Sequence, residues 1–120
     1  MKFMQTTISV KNMEESLKFY QEIVKLPIVK RFSIGVGEIA FLGDGQTKLE
    51  LIYNEQIKDI SFGENISLGF AVESLDETMK FIQEKGIEIH SGPIQPNPST
   101  RFFYVLDPNG VKIQFVEEIA

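Results

Sequence analysis

The chain is predicted to be an α+β protein built from two tandem β-α-β-β-β modules, and two observations predict it. At a shift of 62 positions, Val10–Glu22 superposes on Val72–Glu84 with six of thirteen residues identical. At a shift of 64, Lys48-Leu49-Glu50-Leu51-Ile52 lies over Lys112-Ile113-Gln114-Phe115-Val116. Each of these second segments follows a turn signal, Gly43-Asp44-Gly45 and Asp107-Pro108-Asn109-Gly110. A repeat of this length marks two copies of one supersecondary unit.

The elements follow in order. Met4, Thr6, Ile8 and Val10 alternate with Phe3, Gln5, Thr7 and Ser9, which predicts a half-buried strand. Met13, Leu17, Tyr20 and Val24 then recur at helical spacing behind Asn12 as N-cap, with Glu15 three residues on. Strand-like runs lie around 29–35, 37–42 and 47–53. The second copy repeats the plan. Ile66, Leu68, Phe70 and Val72 are expected to pack beneath a helix carrying Leu75, Met79 and Ile82, which starts at the capping box Ser74-x-x-Glu77 and stops at Gly86. Strands are expected around 87–90, 101–106 and 111–117. The stretch Ser91 to Ser99, with three of the five prolines, is read as a loop. One domain is expected over 1–120, with module one about 1–54, a connection about 55–65 and module two about 66–120.

Composition removes several functions. The 120 residues are 42% hydrophobic and 24% charged, as in an ordinary globular chain. Twelve Lys and Arg against seventeen Asp and Glu give a net charge of −5, which repels phosphate backbones and argues against nucleic acid. No apolar run has the length of a membrane span, and the first residues hold no signal core, so a cytoplasmic protein without a membrane role is expected. The absence of Cys excludes disulfides and thiolate chemistry. The single His90 excludes any site needing two histidines from one chain.

The strand faces turned away from the helices hold the candidate chemistry. Ser67, Gly69 and Ala71 offer almost no side-chain volume there, and Gln5, Thr7, Lys48, Glu50, Lys112 and Gln114 share that side in their own strands. Periodicity alone does not separate a wet face from a concave one.

Three segments carry a resemblance. Gln5-x-x-Ile-x-Val10 followed by Met13-Glu-Glu-Ser-Leu-Lys-Phe-Tyr20, the run Leu49-Glu-Leu-Ile-Tyr-Asn54, and the ending Phe103–Glu118 resemble the vicinal oxygen chelate superfamily. That superfamily includes glyoxalase I, bleomycin-resistance proteins, fosfomycin-resistance enzymes and extradiol dioxygenases. The resemblance implies that the mixed sheets of both modules curl into one open cup with the helices outside. It also implies a homodimer. Metal-dependent members place four ligands on the cup face, and by motif these positions are Gln5, Glu50, Ser67 and Gln114. Ser67 stands where such members carry His, and Gln114 where glyoxalase I carries a proton-transferring Glu. A neutral hydroxyl is a poor transition-metal ligand and an amide accepts no proton at neutral pH.

The expectation is therefore a metal-free pocket for a small organic ligand, of the bleomycin-resistance type and without a cofactor. Glu50 is the candidate general base or counter-charge. Gln5, Thr7, Ser67 and Gln114 are candidate ligand-binding groups, joined by Arg101 as an anion partner and Phe103 as a stacking ring. The alternative is a lyase or isomerase resembling glyoxalase I (lactoylglutathione lyase) with one weakly bound divalent metal. A third reading is a structural subunit whose cup its own side chains fill. A two-His iron dioxygenase is excluded, and His90, which matches no ligand position, is read as structural or exposed.

Overall fold

Each half of the chain, described over residues 1–119 in a computed structural model, runs strand, helix and three strands. The order is β1 (Gln5–Ser9), α1 (Met13–Glu22), β2 (Ile28–Ser33), β3 (Gly37–Leu42) and β4 (Lys48–Asn54), then β5 (Ser67–Ala71), α2 (Leu75–Glu84), β6 (Ser91–Asn97), β7 (Thr100–Leu106) and β8 (Lys112–Glu118). The contacts divide into two units, one ending at Ser61 and the other beginning at Phe62. Each unit holds one open mixed sheet, ordered β1-β4-β3-β2 in the first and β5-β8-β7-β6 in the second. In each, the first strand runs parallel to the last, and the remaining pairs are antiparallel.

Both helices start where their caps dictate. Asn12 Oδ1 accepts from Glu15 N at 2.9 Å, and Ser74 Oγ accepts from Glu77 N at 3.2 Å, satisfying N–H groups that a helix leaves open at its start. In α2 the carboxylate of Glu117 on β8 also accepts from Leu75 N at 2.6 Å, which ties the helix to its sheet. The first core gathers Met13, Leu17 and Tyr20 of α1 with Ile8, Ala40, Leu42, Leu49 and Leu51. The second gathers Leu75 and Ile82 of α2 with Phe103, Val105, Ile113 and Phe115. Full burial of each aliphatic or aromatic side chain contributes about 1.5–3 kcal/mol, so these stripes hold helix to sheet.

The turn before β8 is fixed by one carboxylate. Asp107 Oδ1 accepts from both Asn109 N and Val111 N at 2.8 Å, and Gly110 takes φ +91°, a conformation that glycine adopts freely. The hairpin register set here pairs Phe103 with Phe115 and Tyr104 with Gln114.

The sequence expectation fails at three places. No strand forms at 87–90; the segment Ser91–Asn97, expected as a loop, is the strand β6. Prolines suit it because β6 is an edge strand with an irregular ladder, pairing only Ser91, Ile94 and Asn97 with β7. Gly92 fits the same strand at close range, since a Cβ there would lie 3.0 Å from Phe103 Cα. Met4 and Ile66, expected beneath the helices, precede their strands and are exposed, Ile66 at 67%. Among the described residues no helix is long and apolar enough to cross a membrane.

Candidate functional site

The parallel pairing of β1 with β4 places Gln5 opposite Lys48 and Thr7 opposite Glu50, all on the face away from α1. Glu50 is only 8% exposed. Its Oε1 accepts from Thr7 Oγ1 at 2.5 Å and from Gln5 Nε2 at 3.0 Å. A carboxylate removed from water needs such donors, and bonds to an ionised acceptor are stronger than neutral ones. The arrangement is a carboxylate held in place by an amide and a hydroxyl from the adjacent strand.

Apolar surface stands beside it. Phe41 on β3 pairs with Glu50 across the ladder, and its ring stacks on Phe32 with centroids 6.5 Å apart. Lys30 lies 5.2 Å over the Phe32 ring. A pocket of about 420 Å³ opens here, lined among others by Met4, Gln5, Lys30, Phe41 and Lys48. Apolar walls with a few directed polar groups are what small-molecule sites are made of.

In the second unit the same register carries different chemistry. Ser67 lies opposite Lys112 and Gly69 opposite Gln114, so Gln114 takes the place that Glu50 holds in the first unit. Gln114 Nε2 donates to Tyr104 Oη at 3.2 Å, and Lys112 Nζ stands 4.6 Å from the Tyr104 ring centroid. Ser67, Gly69 and Ala71 are exposed. A Cβ on Gly69 would lie 3.2 Å from Gln114 Oε1, so this glycine makes room for the amide.

Two sequence candidates are corrected. Phe103 is fully buried and packs against Phe115 with ring centroids 5.3 Å apart, on the core side of β7, where it cannot stack on a ligand. Arg101 lies two residues before it, and its guanidinium pairs with Asp76 in the first turn of α2 at 3.3 Å. The groups that β7 turns to the other face are Phe102 and Tyr104, whose rings meet edge to face at 5.7 Å. Sequence reasoning missed Tyr104, Phe41 and Lys30. The hairpin around Asp107–Gly110 was the available signal, because placing Phe115 beneath the helix places its partner Phe103 there as well. His90 is exposed.

The four positions that the resemblance assigns to metal ligands do not suit a resident divalent transition metal. They supply one carboxylate and three neutral groups, and Oε1 of that carboxylate already accepts two hydrogen bonds. Among the described residues no three His, Cys, Asp or Glu side chains gather.

The fold is two β-α-β-β-β units, each with polar groups on the sheet face away from its helix. The chain belongs to the glyoxalase/bleomycin resistance protein/dioxygenase superfamily, whose sequence profile matches residues 2–115. A lactoylglutathione lyase of Neisseria meningitidis is 28% identical over 98% of this chain and 91% of its own length. Among solved structures, the trypanothione-dependent glyoxalase I of Leishmania major superposes with a TM-score of 0.84 at 23% identity, over 98% of this chain and 87% of that one. TnmS3, an antibiotic binding protein from Streptomyces sp. CB03234, superposes with a TM-score of 0.80 at 20% identity, over 98% and 96%.

Proposed function

We propose that the protein binds a small organic molecule without a metal, on the face of the first unit that carries Gln5, Thr7 and Glu50. The observation that supports this most is the fixed position of Glu50, whose Oε1 accepts from Thr7 and Gln5, next to a pocket of about 420 Å³ lined in part by Gln5 and Phe41. Glu50 then serves as a fixed acceptor or counter-charge for the ligand. The antibiotic-binding Streptomyces protein of the same fold is in keeping with such a role. In the second unit Gln114 and Ser67 are neutral hydrogen-bonding groups for a ligand. The resemblance adds a homodimer, which light scattering of the purified protein checks.

A second reading is favoured by the lactoylglutathione lyase of Neisseria meningitidis, which matches nearly the whole chain. There the protein is a lyase in which Glu50 moves the proton. Elemental mass spectrometry, before and after incubation with zinc and nickel, separates the two, together with a methylglyoxal-thiol assay. The binding reading expects trace metal, background turnover and stabilisation by members of a small-molecule panel in thermal shift. Stoichiometric metal that is lost in Glu50→Gln, with turnover, overturns it.

A further inference from the structure

A second cavity lies wholly within the second unit. It measures about 570 Å³, and its lining includes Phe62, Glu64, His90, Leu106 and Lys112. The segment from Phe62 leads into β5, Leu106 ends β7, and Lys112 begins β8. The position recurs in the first unit: Lys48 begins β4 and lines that unit's pocket, just as Lys112 begins β8 and lines this one. Each lysine also donates to a carbonyl of nearby chain, Lys48 to Gly45 and Lys112 to Glu64. The bond from Lys112 Nζ is long, 3.4 Å, and an ammonium has three N–H donors, so donors are left for a ligand. The Tyr104 ring beneath Nζ holds the ammonium in place without neutralising it. Glu64 is exposed and meets Lys112 through its main-chain carbonyl. The ring of Phe62 and the side chain of Leu106 add an apolar wall.

We infer that this cavity is a binding site for a small organic carboxylate, whose anionic end is taken by Lys112 and whose apolar body rests against Phe62 and Leu106. The inference stands apart from the Glu50 site and from the reading given to it. His90 also lines this cavity and supplies a reporter, because it is the single histidine in the chain.

The test follows the His90 Cε1–H resonance by proton NMR during titration with benzoate at constant pH and ionic strength. The expected result is a saturable shift, no saturable shift with benzylamine, and affinity about tenfold weaker or worse in Lys112→Met, as loss of a charge-assisted bond implies. Lys112→Arg retains binding. If Lys112→Met fails to fold, the arginine variant and the contrast between benzoate and benzylamine still decide. A His90 signal that benzoate leaves unmoved overturns the inference, even if benzoate stabilises the protein by binding elsewhere. So does a shift of equal affinity in Lys112→Met, or one that benzylamine reproduces.

Discussion

Thr7 and Glu50 face each other across the parallel β1–β4 pair, and the threonine hydroxyl donates to Glu50 Oε1 at 2.5 Å. Replacing Thr7 with Val keeps the shape and removes the donor, leaving a buried carboxylate with the Gln5 amide alone. Thr7→Val is expected to lower stability by about 1–3 kcal/mol, and Thr7→Ser to restore most of it. Urea unfolding followed by circular dichroism measures both; equal stability of all three proteins would show that the hydroxyl bond contributes nothing.

The two faces of β7 are expected to respond unequally. Phe103→Ala removes a fully buried ring and is expected to cost about 3–5 kcal/mol, whereas Phe102→Ala, at a half-buried position, costs less than half of that. Parallel thermal melts compare them. A Phe102 variant as damaging as the Phe103 variant would contradict the register of the hairpin.

Arg31 on β2 joins Glu38 of β3 at 2.8 Å and also meets Glu14 of α1. Its hydrogen bond holds the Glu38 carboxyl below its ordinary value. A depressed carboxylate stabilises the fold above its unfolded-state pKa, and that contribution disappears as pH falls through the lower folded-state value. Wild type is therefore expected to exceed Arg31→Met in stability at neutral pH, with the gap closing below about pH 4. The gap stays within about 1 kcal/mol because both side chains are partly exposed, at 35% and 27%. A gap that widens in acid would refute the assignment.

Asp107 holds two backbone N–H groups of its turn through one oxygen. Asp107→Ala is expected to destabilise by about 2 kcal/mol and to loosen the β7–β8 hairpin. Hydrogen exchange at Asn109 and Val111 reads the loosening directly, and unchanged protection there would count against the role given to the carboxylate.

Much of the fold was legible because the chain states it twice. The caps Asn12 and Ser74 and the alternation of Leu49, Leu51, Ile113 and Phe115 need only periodicity and local hydrogen bonding, so both helices and both last strands follow from the sequence. Strand β6 was hidden because its prolines argue for a loop until its place at a sheet edge is known. The residues on the face away from the helices were legible by parity for β1, β4, β5 and β8, which the repeat registers. For β7 the parity comes from the hairpin partner and not from the strand, which is why Phe103 and Arg101 were read as ligand groups while Tyr104 went unnoticed.

The prolines of β6 carry a consequence for behaviour at high concentration. A sheet edge with free amide groups invites a strand from another molecule to join it, the first step toward fibrous aggregation. Pro93 and Pro96 have no amide hydrogen to offer along β6, and the matching outer strand of the first sheet, β2, displays Lys30 and Arg31. On one margin of each sheet, recruitment of a foreign strand is thus discouraged, in one case by missing donors and in the other by charged side chains that a new strand would have to desolvate.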